Sequence, residues 1–283
     1  MPGTEVPSYN EGVVSYLVLV DVLLKPALAT LAMALCAAQG FAQATVPIPF
    51  ACSADDLDHF GLTCSAEQPC PVYADLHFVE ANGARVFLTG NLHTDAVTLY
   101  SLLLASEDSG VTWKEAYTRV RSGYLEQVQF ADFQNGWISG GLMTTLPRDP
   151  FFLVTHDGGQ TWRDRPVFDE GRIGTIAEFW FENKSNGQLV IDHTRRPENG
   201  NRYELHESMT AGDTWIPKQL SPKLMKLAHS RSGSQHSGWR LHADSKTRTT
   251  RVEVERGGKW EAIAAFPIRV GDCKPPEPKP EPQ

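Results

Sequence analysis

Thr155-His156-Asp157-Gly158-Gly159-Gln160-Thr161-Trp162 is the stretch on which the fold turns, because the chain writes it more than once. Ser106-Glu107-Asp108-Ser109-Gly110-Val111-Thr112-Trp113 repeats it closely. Ser208-Met209-Thr210-Ala211-Gly212-Asp213-Thr214-Trp215 keeps the hydroxyl, Gly212, Thr214 and Trp215 but sets Thr210 where the aspartate stood. Glu253-Val254-Glu255-Arg256-Gly257-Gly258-Lys259-Trp260 is weaker still and retains Gly257 and Trp260. The four tryptophans fall 45 to 53 residues apart, the length of one four-stranded propeller blade with its loops.

The residue types explain themselves as turn chemistry. A short carboxylate such as Asp108 or Asp157 accepts hydrogen bonds from nearby backbone N–H groups, Gly110 and Gly159 supply positive φ, and Thr112 and Thr161 add local bonds. Trp113 and Trp162 are then free to pack as apolar plugs. These aspartates read as structural. They do not match an EF-type calcium loop, and Asp56-Leu57-Asp58-His59-Phe60-Gly61 lacks that loop's terminal glutamate.

Each repeat opens with a hairpin. Phe130 to Gly140 places a strand, an Asn-Gly turn and a second strand in sequence, and Phe181 to Val190 repeats that spacing. One further strand precedes each turn motif, and Arg251-Val252-Glu253-Val254-Glu255 alternates with a clean period of two. The expected fold is all-β, a small propeller of four four-stranded blades, or five if Thr45 to Cys70 holds a diverged one. The expected limits are 72–272 for the propeller, 45–71 for a Cys-rich N-terminal segment, and 273–283 for a Pro-rich, disordered tail.

The chain of 283 residues has a net charge of −8, which argues against a dedicated nucleic-acid binder. Lys25 to Ala38 has a basic start and an apolar core, followed by Ala42-Gln43-Ala44, so residues 1–44 read as a secretory signal with an over-extended start. Neither apolar run near the N-terminus reaches the roughly 20 residues a membrane span needs. A secreted or periplasmic bacterial protein is expected, and a monomer. Removal of the leader leaves Cys52, Cys64, Cys70 and Cys273, which predicts two disulfides in an oxidising compartment. Three pairings are open. Cys273 lies past the last strand and the other three before the first repeat, so one bridge is expected to tie the chain ends.

With the quoted motifs in hand, Phe130-x-Asp132-x-x-x-Gly136-Trp137-x-x-Gly140 followed by Thr155 to Trp162 resembles the Asp-box (BNR, bacterial neuraminidase) repeat superfamily. Within it, the pattern is most similar to the subgroup named for the photosystem II stability and assembly factor. The resemblance runs from Val72 to about Trp260 and implies a propeller. It leaves function open, since Asp-box propellers include glycosidases, receptors and assembly factors.

A sialidase-like glycoside hydrolase is the alternative reading. It needs clustered arginines and a Tyr/Glu nucleophile pair on the propeller axis. The Phe/Tyr-Arg-Ile-Pro run of that class is absent, and Tyr203-Glu204, adjacent on a strand, should point to opposite faces. The reading adopted is a non-catalytic binding or assembly scaffold, without cofactor or metal, for a protein or an envelope polysaccharide. Its candidate surface is a basic patch of Arg119, Arg121, Arg163, Arg165, Arg195, Arg196 and Arg240, with pairing to nearby carboxylates as the competing expectation.

Overall fold

A computed structural model describes residues 45–193, 200–227, 235–236 and 238–275. The leader, Arg195, Arg196 and residues 276–283 lie outside the described residues.

The chain forms four antiparallel sheets of meandering strands. The first holds β1 (Cys70–Asn82), β2 (Arg85–His93), β3 (Thr98–Ser106) and β4 (Lys114–Glu115). The second holds β5 (Gly123–Phe130), β6 (Gly136–Met143), β7 (Pro147–Thr155) and β8 (Arg163–Pro166). The third holds β9 (Thr175–Phe181), β10 (Gly187–Asp192), β11 (Tyr203–Ser208) and β12 (Ile216–Ser221). The fourth holds β13 (Gln235–His236), β14 (Trp239–Asp244), β15 (Thr249–Arg256) and β16 (Lys259–Pro267). The last strand, β17 (Arg269–Cys273), returns to pair with β1. The protein is a small β-propeller of four blades, and its first and last described strands share the first sheet.

Residues 45–70 do not make a fifth blade. They hold one short helix, α1 (Ala54–Phe60), capped by Ser53, whose hydroxyl accepts from the Asp56 N–H. Two disulfides fasten this segment, Cys52–Cys273 and Cys64–Cys70. The first ties the chain ends as their positions suggested.

The core sits in the seams between blades. Phe78, Phe87, Leu103 and Ala105 of the first blade pack on Leu125, Ile138 and Trp162 of the second. Trp137 and Phe152 of the second pack on Phe179, Phe181 and Leu189 of the third. Val79, Leu88 and Leu104 share a cluster with Trp239, Val252 and Phe266 of the fourth.

The turn motifs close these seams. Asp108 accepts from the Thr112 N–H at 2.8 Å and from the Thr112 hydroxyl at 2.6 Å, and Asp157 repeats both contacts with Thr161 at 2.9 and 2.6 Å. In the third motif the Thr210 hydroxyl takes over, accepting from the Thr214 N–H at 2.9 Å. Each motif also binds the first hairpin turn of its own blade: Ser109 N–H to Ala84, Gly158 N–H to Gln134, Ala211 N–H to Ser185. Each tryptophan meets an aromatic ring of the preceding blade. Trp113 lies edge-on to Phe266 at 5.4 Å, Trp162 edge-on to Phe87 at 5.7 Å, and Trp215 stacks on Phe152 at 5.5 Å. The φ of +86° at Gly159 is needed twice over, because a Cβ there would also stand 2.3 Å from the Phe87 ring.

The fourth repeat is built differently. Arg256 pairs directly with Lys259 across Gly257 and Gly258, whose φ values of 58° and 76° make a two-residue hairpin. Without an aspartate or a hydroxyl at the turn, nothing holds the wider loop. Trp260 lies under the Arg240 guanidinium of its own blade, 4.2 Å from it.

Candidate functional site

In a meander, the turns joining first to second and third to fourth strands lie at one end, and those joining second to third lie at the other. The turn motifs therefore occupy one end of the propeller. At the opposite end of the first blade is a cavity of about 580 Å³, within the range of small-ligand sites. β1 contributes Asp75, β2 contributes Asn91 and His93, the β2–β3 loop Thr94, α1 Phe60, and the β6–β7 loop Thr144.

The polar groups here are held from behind. His77, two residues along β1 from Asp75, places Nε2 3.4 Å from the Asp75 carboxylate and donates from Nδ1 to the Leu125 carbonyl at 3.0 Å. Burial disfavours charge on His77, but Asp75, Glu126 and the Leu125 carbonyl outweigh it and hold its pKa above the usual histidine value. The hydrogen bond from His77 holds the Asp75 carboxyl below its ordinary range, against partial burial. Glu126 is pushed up by burial, eased by His77. Tyr124 is also raised, first by burial and then by Glu126. The couple thus keeps Asp75 ionised at the rim of the cavity. The Asn91 Oδ1 atom is buried and accepts no hydrogen bond among the described residues.

Of the seven arginines of the expected patch, Arg195 and Arg196 lie outside the described residues, and the other five have these surroundings. Arg119 bonds Glu115 and the Pro49 carbonyl, and Arg121 pairs with Asp55 at 2.7 Å and Asp56 at 3.4 Å. Arg165 pairs with Asp213 at 2.9 Å, and Arg240 with Glu253 at 2.6 Å. Arg163 is exposed on β8. Four of the five described arginines therefore have a carboxylate within ion-pair distance, and those partners come from four separate parts of the fold. Long-range pairs such as Arg121–Asp55 join residues 66 apart in sequence, so sequence proximity could not have found them.

Tyr203 and Glu204 serve separate contacts. Tyr203 lies under Arg202 at 5.0 Å, while Glu204 Oε2 sits 3.1 Å from His193 Nε2 and 3.3 Å from His206 Nε2. Among the described residues no group of three His, Cys, Asp or Glu side chains is placed to hold a metal ion. Nor is any helix among them long and apolar enough to cross a membrane. The cavity beside Asp75 was not visible in the sequence; the only signal was the local Asp-x-His pattern on a strand, which puts both side chains on one face.

Fold and cavity together define a small β-propeller with a polar recess at its loop end. No family model matches the chain, and no curated protein matches it. Similar solved structures include YCF48 bound to a D1 peptide, at 18% identity and TM-score 0.34, covering 68% of this chain and 53% of that one. YCF48 from Cyanidioschyzon merolae is 14% identical, TM-score 0.29, covering 73% and 71%. An α-L-arabinanase from Penicillium chrysogenum complexed with arabinobiose is 14% identical, TM-score 0.34, covering 71% and 62%. The chain spans about half the length of the first of these. None of these likenesses is close enough to transfer a function.

Proposed function

We propose that this protein is a non-catalytic binding or assembly scaffold acting in the periplasm or outside the cell, and that it engages its partner at the loop end of the first blade. The observation that carries this reading is the cavity bordered by Asp75, Asn91 and His93, where an ionised carboxylate braced by His77 stands beside a buried amide oxygen with no partner among the described residues. Buried or braced polar groups at a recess favour an occupant that satisfies them, which is recognition chemistry. The two disulfides support an oxidising compartment.

The partner expected here is a protein segment that presents hydrogen-bond donors to the exposed Asp75 carboxylate. A photo-crosslinking residue placed at Thr144 should trap one envelope partner, and Asp75→Asn should abolish that product while the fold survives. Hydrolysis of a sialoside panel by the unmodified protein would overturn the scaffold reading in favour of a glycosidase.

A further inference from the structure

Two residues before the hydroxyl that opens each of the first three turn motifs, the third strand of the blade turns a side chain toward the preceding blade. In the first blade that residue is Leu104, paired with Leu88, and in the second it is Leu153, paired with Ile138. In the third blade it is His206, paired with Leu189. His206 is buried like the leucines, at 2% exposed against 5% and 0%. Neither of its ring nitrogens makes a hydrogen bond among the described residues. An imidazole in a leucine's place carries a desolvation cost that the leucine avoids, and what it adds to the seam is a nitrogen that binds a proton.

The charged and titratable groups that face His206 come from three elements. Glu204, two residues back along β11, places Oε2 3.3 Å from His206 Nε2, but the same oxygen lies 3.1 Å from Nε2 of His193, the residue that follows β10. Arg172, in the loop 167–174 between β8 and β9, lies 4.6 Å over the ring of Phe168, and that ring meets His206 edge-on at 5.5 Å. A proton arriving on His206 thus finds one carboxylate, already engaged by His193, and a permanently charged guanidinium. Burial lowers the His206 pKa, Glu204 opposes that, Arg172 and His193 add to it, and the balance lies below the ordinary 6.5. The closed seam therefore binds this proton more weakly than an opened one. Its closure is fully supported above 6.5 and weakens as pH falls from there toward the lowered folded value.

The loop 167–174 has two sets of fastenings. Toward the second blade, the Val167 N–H donates to the Pro150 carbonyl, the Arg172 N–H to the Asp149 carboxylate and the Gly174 N–H to the Pro147 carbonyl. Toward the third, Phe168 packs on His206, and the Ile173 carbonyl lies 3.2 Å from His193 Nδ1. We propose that His206 is an acid-sensitive latch, whose protonation repels Arg172, draws water to the ring and frees Phe168, so that the loop 167–174 loosens while the strands of both blades stay paired. The latch uses none of the residues that border the cavity beside Asp75, and its test does not depend on the function proposed for that cavity.

The test uses the whole mature chain and amide hydrogen exchange at about pH 7.5 and about pH 5, corrected for the intrinsic pH dependence of exchange. Protection of the loop 167–174 should fall at least threefold on acidification, up to about thirtyfold, the ceiling for a histidine that titrates at its ordinary 6.5 once the loop is open. Protection of β6 and β7 should not change. His206→Leu installs the residue of the first two blades, so its melting temperature at the higher pH should equal or exceed that of the parent, and its loop should stay protected at both values. Independently of any variant, proton NMR should place the His206 midpoint below 6.5. The latch is overturned if loop protection in the parent changes less than threefold, if His206→Leu shows the same fall, if β6 and β7 lose protection together with the loop, or if His206 titrates above 6.5.

Discussion

Trp137 lies face to face on Phe181 across the seam between the second and third blades, with ring centroids 3.7 Å apart and planes within 5° of parallel. Its indole N–H also donates to the Ala211 carbonyl at 2.7 Å, so one residue both packs the seam and pins the third turn motif. Truncation to alanine should cost about 3–5 kcal/mol, the range for removing a buried tryptophan. Equilibrium urea unfolding would show it, and a loss below about 1 kcal/mol would mean that the seam is held by other contacts.

The two disulfides should differ in weight. Cys52–Cys273 closes a separation of 221 residues and Cys64–Cys70 one of 6. Loop entropy alone assigns about 5 kcal/mol to the first and about 2 kcal/mol to the second. Paired cysteine-to-alanine variants, compared by denaturant midpoint at equal slope, test the ordering. Equal losses would show that strain or residual unfolded structure overrides chain entropy.

The His77 imidazole should titrate above its ordinary value of 6.5 in the folded protein. A raised folded pKa means that its stabilising contribution is complete below the unfolded value and is lost as pH rises through the folded one. Asp75 has the opposite sense: its contribution is present above the unfolded value of 3.8 and fades as pH falls through its lowered folded one. Proton NMR should place the His77 midpoint above 6.5 and show it moving down in Asp75→Asn. No movement would remove the couple from the site.

Acid should loosen the turn motifs late. Burial opposes ionisation of Asp157, but the hydroxyl and N–H of Thr161 overcome it and bring its pKa to about 2. Since the folded value lies below the ordinary 3.8, the contribution is present above that pH and disappears as pH falls toward 2. The melting temperature of the parent should therefore drop over that interval more steeply than that of Asp157→Asn. Parallel curves would show that the carboxylate charge does not hold the turn.

Much of this fold could be read in one dimension because its information is local and repeated. The Asp-x-Gly-x-Thr-Trp spacing encodes hydrogen bonds spanning four residues, as between Asp157 and Thr161, and its recurrence sets the blade length. The decayed third motif stayed legible because Thr210 offers a hydroxyl where the aspartate would offer a carboxylate. The fourth misled, since two glycines before a tryptophan suit a tight hairpin as well as a wide turn. A basic patch was expected from arginines near in sequence to the motifs; of those described, Arg119 pairs with Glu115 four residues away, whereas Arg121 meets Asp55 and Asp56 of α1 and Arg165 meets Asp213 of the third motif.

By itself, then, the sequence determined the all-β class, the four-blade period, the hydrogen bonds from Asp108 and Asp157 to the threonines of their turns, and the expectation that Cys273 ties back to the N-terminal cysteines, because each depends on short-range bonds or on order along the chain. Tertiary structure alone decided which carboxylates meet Arg121 and Arg165, and that Asp75 and His77 stand beside a recess with Asn91. Those outcomes rest on contacts between residues up to 66 positions apart, whose distances are set by strand register and blade packing.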